Sequence, residues 1–375
     1  MKALPQTIKE ILQAFSDHGI RGGLVGGCLR DLLLDRLPKD WDISTAALPD
    51  ALPALFPGCT LIPTGLPFGT MTLLYKGERV EITTWRREGD YRDRRHPSCL
   101  AFTTSLEEDL SRRDFTINGM WYTPAEGLQD PWGGREDLEA CLLRAIGDPG
   151  ERFREDPLRI LRGLRFAATL DFRLEEKTVQ AMTRLAPLLS HVSRERVAKE
   201  LLGFLEGTLR PLSSIAAPIL REVLPDLPHF PGEILDALPG VKLRLAALFS
   251  FLPDPEEGRK LITTLRLASP GILKTAQLEE AALLGTLIRE EDLLLAYRRL
   301  RYKLPLLQEL LLLQGGRLLP FQALDIRELA LAGGDLPPAL PGKERGALLS
   351  RLFEAVLLGE VPNDREALLE KVRSM

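Results

Sequence analysis

Two carboxylates that lie two positions apart are the first residues in this sequence with a definite chemical capacity. Asp40 and Asp42 flank Trp41 in a short β-like stretch. Side chains two apart on a strand point to the same face, so both carboxylates would converge while Trp41 packs on the other face. Like charges this close repel each other, and a Mg²⁺ ion that also binds substrate phosphates would relieve the repulsion. The alternative is a solvated loop that carries two acids.

A glycine-rich turn comes shortly before these acids. Residues 22–31 read GGLVGGCLRD, which is an apolar strand followed by Gly26, Gly27 and a helical pattern. Glycine lets a phosphate approach the backbone, and a helix N-terminus presents free N–H groups to an anion. Arg30 lies one turn into the helix, where it could reach the same phosphates. A glycine pair after a strand is also an ordinary turn, so this motif alone leaves both interpretations open.

A third group of polar residues opens a helical pattern at residues 155–165, which read EDPLRILRGLR. Asp156 suits the N-cap of a helix and Pro157 suits its first turn. Three arginines recur every three residues and drift around one face of the helix: Arg159, Arg162 and Arg165. From the residues alone, a capped helix with a solvated basic face is the better interpretation, and a nucleotide-binding helix is the alternative.

These features stand in a fixed order with other motifs, and the whole series resembles that of the class II CCA-adding enzymes and bacterial poly(A) polymerases. The resemblance covers residues 22–200, and it departs from the usual pattern only at Cys28, Leu29 and Gly119. The further motifs are RRDFTIN at 112–118, DPWGG at 130–134, RAIGDP at 144–149 and VSRER at 192–196.

The resemblance implies an α+β nucleotidyltransferase head of the polymerase β type with a small mixed sheet, followed by an all-helical neck, body and tail. The sequence texture agrees with this order. Strand-like runs at 23–25, 41–43, 70–75 and 79–84 and helical runs at 6–18 and 28–35 give way to Arg-rich and then Leu-rich helical patterns. We therefore predict a catalytic head at 1–140, a base-recognising neck at 141–205 and a tRNA-binding body and tail at 206–375.

The resemblance also assigns roles to residues. Asp40 and Asp42 would bind two Mg²⁺ ions, which activate the tRNA 3′-hydroxyl and hold the triphosphate. Glu81, between apolar Val80 and Ile82, is the candidate for the third carboxylate, with a simple exposed strand residue as the alternative. The expected nucleotide contacts are Gly26, Gly27, Arg30, Arg113, Asp156, Arg159, Arg162 and Arg165.

In this family an Asp–Arg pair acts as an amino-acid template for the incoming base, which implies that Asp156 and Arg159 read it. Cytosine and adenine both present an exocyclic amine beside a ring nitrogen acceptor, so a carboxylate and a guanidinium can pair with either. Guanine and uracil present the reverse order and would leave polar groups unpaired, at about 1–3 kcal/mol each. The expected substrates are therefore CTP, ATP and a tRNA held by its acceptor and TΨC arms.

A charged stretch at residues 85–97, WRREGDYRDRRHP, reads as an exposed loop. In the resembling family a loop at this position is needed for addition of the final A, and its full length here favours an A-competent enzyme. Three alternatives stay open: an enzyme that adds only A, a poly(A) polymerase, and a catalytically silent RNA-binding protein of the same fold.

Composition sets wider limits. The 375-residue chain has 45% apolar and 27% charged residues, which is typical of a globular protein. Its net charge of −4 means that an RNA partner must be held by local basic surface. The four cysteines are far apart and predict neither a zinc site nor a disulfide framework. Without a recognisable signal peptide or membrane-spanning segment, we expect a cytoplasmic protein that does not bind membranes.

Overall fold

The computed structural model describes residues 4–88, 100–224, 227, 230–238, 240–250, 326–337, 340–357 and 359–374. The chain divides into two compact units. The N-terminal unit comprises Met1–Gly207 with Pro218–Val223, and the C-terminal unit comprises Thr208–Ala217 with Leu224–Met375. The N-terminal unit contains both the predicted head and the predicted neck, so the boundary near residue 140 stays a prediction.

The N-terminal unit is built around a mixed β-sheet. The strands, in chain order, are β1 (Gly22–Val25), β2 (Trp41–Thr45), β3 (Thr60–Gly65), β4 (Thr70–Tyr75), β5 (Glu78–Thr84), β6 (Arg86–Glu88), β7 (Leu100–Phe102), β8 (Trp121–Thr123), β9 (Gly127–Gln129), β10 (Leu142–Leu143) and β11 (Arg173–Leu174). Seven of them form one sheet in the order β3-β4-β5-β2-β1-β8-β9. Strands β2 and β5 are parallel, and the other neighbours in it are antiparallel. The small mixed sheet predicted from the sequence is confirmed.

Both units contain helices in their described residues. They are α1 (Gln6–Asp17), α2 (Gly27–Leu33), α3 (Leu52–Leu55), α4 (Leu106–Ser111), α5 (Gly134–Glu139), α6 (Pro149–Glu155), α7 (Leu158–Leu170), α8 (Glu176–Leu185), α9 (Arg194–Phe204), α10 (Ser213–Leu220), α11 (Gly232–Ala237), α12 (Gly240–Ser250), α13 (Gly342–Leu357) and α14 (Arg365–Ser374). A 3₁₀ turn, Thr116–Asn118, joins α4 to β8. None of the described helices is long and apolar enough to cross a membrane.

Alternation along the central strands decides which side chains reach the site. On β5, Val80 and Ile82 are fully buried while Glu81 between them is half-buried, as the alternating pattern predicts. On β2, Trp41 is buried and only 7% exposed, whereas Asp42 lies on the opposite face. The sheet thus uses one face for packing and presents carboxylates on the other.

Two sequence expectations need correction. The predicted exposed loop began at Trp85, but this side chain is fully buried, because its ring packs edge to face against Trp121 with centroids 6.1 Å apart. The next residues form β6, which pairs with β7. Residues 89–99 lie outside the described residues. The neck predicted as all-helical at 141–205 contains four helices, α6 to α9, and also the short paired strands β10 and β11.

Candidate active site

The glycine turn brings three functional groups together. Gly26 has φ +70°, a conformation that favours glycine, and it precedes the seven-residue helix α2. A Cβ atom on Gly26 would lie 3.4 Å from Arg113 Nη1 and 3.8 Å from Asp42 Oδ2. Cys28 fastens the turn to β2, since its Sγ lies 3.5 Å from the Asp42 main-chain nitrogen, and burial raises the pKa of this thiol to about 12. The glycine turn and Asp42 therefore form one site.

The three predicted carboxylates lie close enough to influence one another. Asp42 on β2 pairs in parallel register with Glu81 on β5, and the exposed Asp40 comes immediately before β2. The pKa of Asp42 is raised to about 6, chiefly by burial and also by the charges of Glu81 and Asp40, while Arg113 lowers it. Ionisation of this carboxylate is thus opposed by its surroundings, which is the condition that a bound cation would relieve.

Two carboxylates, Asp40 and Asp42, fit a divalent cation better than the set of three that includes Glu81. Asp40 and Asp42 offer the oxygen ligands that a hard divalent ion prefers. The Glu81 side chain is 46% exposed, and its Oε1 lies 3.7 Å from Arg79 Nη2. Within the described parts of the chain, no three His, Cys, Asp or Glu side chains come together as a metal-binding group. Glu81 therefore acts on Asp42 through its charge here, and its role as a ligand stays a prediction.

Arg113 presents an unused donor next to these acids. Its Nη2 donates to Asp109 Oδ2 at 3.2 Å, and the Arg113 side chain is 18% exposed. Its Nε is buried and has no hydrogen-bond partner. A buried donor is costly to leave unpaired, so an acceptor such as a phosphate oxygen would satisfy it. The predicted contact between Arg113 and a nucleotide is consistent with this position and stays a prediction.

A buried network links the glycine turn to helix α7. Arg30 Nη1 donates to Asn118 Oδ1 at 3.1 Å, and Asn118 Nδ2 donates to Asp114 Oδ1 at the same distance. Arg162 Nε donates to Asp114 Oδ2 at 2.7 Å. Burial would raise the pKa of Asp114, but Arg162 and the hydrogen bond from Asn118 outweigh it and lower the pKa to about 2. One ionised carboxylate thereby holds Arg162 directly and Arg30 through Asn118. Arg30 also pairs with Asp31 at 2.7 Å.

An aromatic ring lies at the centre of the predicted arginines. Phe166, which is 7% exposed, has the guanidinium carbons of Arg30, Arg162 and Arg165 at 5.4, 5.1 and 4.4 Å from its ring centroid. Arg165 also pairs with the buried Glu200 on α9. Cation–π contacts of this kind hold guanidinium groups in place while leaving their outer N–H groups available to a ligand.

The predicted base-reading pair lies at the start of α7, and each member already has protein partners. Asp156 Oδ2 accepts from Arg196 Nη2 at 2.8 Å, and its Oδ1 accepts from the Leu158 main-chain N–H at 3.1 Å. The predicted N-cap position is wrong by one residue, because Pro157 stands at the N-cap of α7 and Asp156 at the C-cap of α6, although the Asp156 side chain still accepts from the first N–H of α7. Arg159 is 8% exposed and donates to Glu155 Oε2 at 2.8 Å. To read a base, Arg159 would have to exchange one of its protein acceptors.

All eleven predicted site residues line a single open cavity of about 1220 Å³ in the N-terminal unit. They are Gly26, Gly27, Arg30, Asp40, Asp42, Glu81, Arg113, Asp156, Arg159, Arg162 and Arg165. Twelve Arg or Lys residues line this cavity against seven Asp or Glu, so its wall is basic although the chain has a net charge of −4. The cavity is suited to a polyanion.

Sequence reasoning missed several residues that this cavity brings together. Phe166, Arg196 and Lys199 line it, and Asp114 and Glu200 hold its arginines. Arg196 lies in the VSRER motif, which gave a signal without a role. Glu200 gave none, because an acid on one helix and an arginine on another carry no mutual spacing in the sequence.

Known proteins resemble the chain in both parts of this unit. Residues 23–144 match the family described as the Poly A polymerase head domain, and residues 171–208 match the family described as the probable RNA and SrmB- binding site of polymerase A. The first match contains the glycine turn and the carboxylates. The second contains Arg196 and Glu200.

Relatives extend the similarity along the whole chain. The CCA-adding enzyme of Bacillus licheniformis is 35% identical over 395 residues, covering 99% of this chain and 97% of that enzyme. The CCA-adding enzyme of Geobacillus stearothermophilus is 42% identical over 222 residues, covering 59% of this chain and 54% of that enzyme, so the chain matches about half the length of this relative.

A solved structure agrees with the sequence relatives. The crystal structure of the Bacillus stearothermophilus CCA-adding enzyme in complex with CTP is 30% identical, covers 100% of this chain and 99% of its own, and superposes with a TM-score of 0.66. A relative above 30% identity covers nearly the full chain, and the motif residues of this chain line one basic cavity. The chain therefore belongs to the family of the CCA-adding enzymes, which are tRNA nucleotidyltransferases.

Proposed function

We propose that this chain adds CCA, or its terminal part, to the 3′ end of tRNA from CTP and ATP and releases pyrophosphate. One observation carries the proposal: a carboxylate with a raised pKa, Asp42, and the guanidinium of Arg113, through its Nη1, meet at the same glycine turn beside a basic cavity. A divalent cation satisfies the first group and a triphosphate satisfies the second. Nucleotidyl transfer needs both in contact.

The carboxylates and arginines divide the work at the phosphate end. Asp40 and Asp42 would hold Mg²⁺, since oxygen ligands suit this ion and the family depends on a divalent metal. When bound there, Mg²⁺ supplies positive charge that lowers the pKa of the tRNA 3′-hydroxyl and stabilises the leaving pyrophosphate. Arg113 and Arg30 would bind triphosphate oxygens from the two sides of the glycine turn and keep the α-phosphate in line for attack.

Base recognition would take place at the start of α7. Asp156 would accept from the exocyclic amine of C or A, and Arg159 would donate to the neighbouring ring nitrogen. Arg196 keeps the Asp156 carboxylate oriented, with 2.8 Å between Nη2 and Oδ2. Selection of bases would thus come from protein side chains, with no nucleic-acid template.

The helices of the C-terminal unit would hold tRNA. Proteins that must accept every tRNA bind its shape and phosphates and do not read its sequence. We assign this role to the predicted body and tail from residue 206 onward, as the sequence order suggests. A truncated chain that ends after α9 would then lose affinity for tRNA, which a filter-binding titration measures.

A product-length assay tests the function. Purified protein is mixed with tRNA that lacks all or part of its CCA end, together with CTP and ATP, one of which is labelled. The products are separated on a sequencing gel. We expect two C residues and one A, with no further growth. Addition of A alone would identify an A-adding enzyme, a long A ladder would identify a poly(A) polymerase, and no addition with intact tRNA binding would identify a silent RNA-binding protein.

A further inference from the structure

A fully buried acid outside the predicted site collects donors from two segments of the N-terminal unit. Asp109 lies on α4, and its side chain is 0% exposed. Its Oδ1 accepts from the Arg86 main-chain N–H at 3.3 Å and from Arg112 Nε and Nη2 at 2.9 and 2.7 Å. Its Oδ2 accepts from Arg113 Nη2 at 3.2 Å. One carboxylate therefore joins the start of β6 to the end of α4.

The spacing explains how one acid reaches two consecutive arginines. Arg112 and Arg113 follow Asp109 by three and four residues, and α4 ends at Ser111, so both side chains return to the same side of the last helical turn. Burial would raise the pKa of Asp109, but the charges of Arg113 and Arg112 outweigh it and hold the pKa below its usual value. Asp109 is thus ionised at neutral pH.

The two arginines connect Asp109 to the glycine turn at one end of the cavity and to helix α7 at the other. Arg113 Nη1 reaches the glycine turn, 3.4 Å from where a Cβ of Gly26 would lie, and its charge acts on Asp42. The main-chain carbonyl of Arg112 accepts from Arg159 Nη2 at 2.7 Å. A displacement at Asp109 would therefore reach the phosphate end through one residue and the base-reading helix through its neighbour.

We propose that Asp109 is a positioning residue for the nucleoside triphosphate: it binds Arg113 Nη2 and so holds Nη1 of the same guanidinium against the glycine turn, where the triphosphate would bind. This inference rests on the proposed function, since it assumes that a nucleotide occupies the cavity. Asp109 does not line that cavity and would not touch the nucleotide. Its effect would pass through Arg113, because a guanidinium held by a buried carboxylate loses less orientational freedom on binding phosphate.

Asp137 provides a matched control. It is also a buried acid of the same unit, 5% exposed, and its Oδ2 accepts from Arg144 Nε at 2.9 Å. It does not line the cavity. Asp137→Asn and Asp109→Asn each remove one buried charge from an ion pair, so both would lose stability. Only Asp109→Asn is expected to alter nucleotide binding.

The experiment measures the affinity for ATP and the rate of nucleotide addition separately. Isothermal titration calorimetry gives the Kd of ATP in Mg²⁺ buffer, and steady-state addition of A to tRNA ending in CC gives KM for ATP and kcat, at a temperature where every variant is folded. We expect Asp109→Asn to raise Kd and KM for ATP about tenfold with a smaller change in kcat. Asp137→Asn should change both constants less than about twofold. Equal behaviour of the two variants would overturn the proposal.

A double-mutant cycle shows whether the effect passes through Arg113. In the Arg113→Ala background, Asp109→Asn should weaken ATP binding less than about twofold further, because the group that it positions is gone. A full additional tenfold loss would mean that Asp109 acts by another route. Where Asp109→Asn does not fold, Asp109→Glu keeps the charge but moves the carboxylate by one methylene, and the same cycle is measured with it.

The wild-type protein separates this inference from the proposed function. If it adds no nucleotide to any tRNA end, the proposed function fails. If it is active and the Asp109 and Asp137 variants bind ATP alike, only the positioning role fails.

Discussion

Asp42 and Asp114 are carboxylates on the same cavity, yet their pKa values shift in opposite directions. The pKa of Asp42 is raised to about 6, by burial first and then by Glu81 and Asp40. The pKa of Asp114 is lowered to about 2, because Arg162 and a hydrogen bond from Asn118 outweigh burial. At Asp42, burial and two neighbouring acids outweigh the charge of Arg113, whereas at Asp114 an arginine and a hydrogen bond outweigh burial.

The site around Asp42 would be stabilised by a bound cation, whereas the site around Asp114 is already organised by its own arginine. A buried acid with acidic neighbours, like Asp42, gains from binding a metal. Acids that are matched by arginines keep those arginines in fixed positions before any ligand arrives, which lowers the cost of ordering them later.

Loss of the Asp42 charge should abolish catalysis. Asp42→Asn removes one of two proposed metal ligands at nearly constant volume, and a loss of about 4 kcal/mol of transition-state stabilisation would slow nucleotide addition about 10³-fold. Single-turnover addition of A measures it. Glu81→Gln is the comparison, and we expect a loss below about tenfold because Glu81 faces Arg79. Near-normal turnover of Asp42→Asn would remove the metal assignment.

Loss of the Asp114 charge should act on the fold. Asp114→Asn leaves Arg162 with only the more distant Glu200 carboxylate, 4.0 Å from Nη1, and breaking a buried pair in this way costs about 3 kcal/mol. Urea denaturation followed by circular dichroism measures the free energy of unfolding. The exposed pair of Arg135 and Glu139, at 65% and 67% exposure, supplies the control Glu139→Gln, which should cost less than about 0.5 kcal/mol. Similar losses for the two variants would contradict the distinction between the cavity ends.

Loss of the Asp156 carboxylate should relax base choice. Asp156→Ala removes the acceptor for the exocyclic amine, so incorporation of G and U relative to A should rise about tenfold, which corresponds to about 1.4 kcal/mol. Asp148→Ala is the matched control, because Asp148 caps α6 by accepting from the Glu151 N–H at 2.8 Å and does not line the cavity. The Asp–Arg template is wrong for this chain if Asp156→Ala excludes GTP and UTP as the control does.

The pH dependence of stability should differ between the two acids. Asp114, with a folded pKa below its unfolded value, stabilises the fold above about pH 4 and loses this contribution as the pH falls towards 2. Asp42, with a folded pKa above its unfolded value, destabilises the metal-free fold at neutral pH, and this penalty disappears as the pH falls through 6 towards 4.

Asp42→Asn isolates the second of these effects. In EDTA the variant should be more stable than wild type at about pH 7.5 and equal to it at about pH 4.5. Urea denaturation at both values measures the difference. If the stability difference between the variant and wild type does not change with pH, the pKa of Asp42 is not raised in the folded protein.

Sequence reasoning reached the metal end more completely than the arginine end. Asp40, Asp42 and the glycine turn are local motifs on adjacent elements, so strand alternation and one βα connection suffice to bring them together. The arginines of α7 were found for the same reason, as they share one helix. Their holders were not, because Asp114 and Glu200 approach them only after the helices pack. Trp85 was misplaced for a related reason, since its charged neighbours concealed a ring buried against Trp121.

The family, the mixed sheet and eleven of the residues that line the cavity could be predicted from the sequence, because each depends on motifs read within a few positions. How those residues are charged and held depends on tertiary packing. Whether a buried acid is left repelling its neighbours, like Asp42, or is matched by a guanidinium, like Asp114, depends on which distant side chain shares its low-dielectric surroundings. Packing alone brings such partners together.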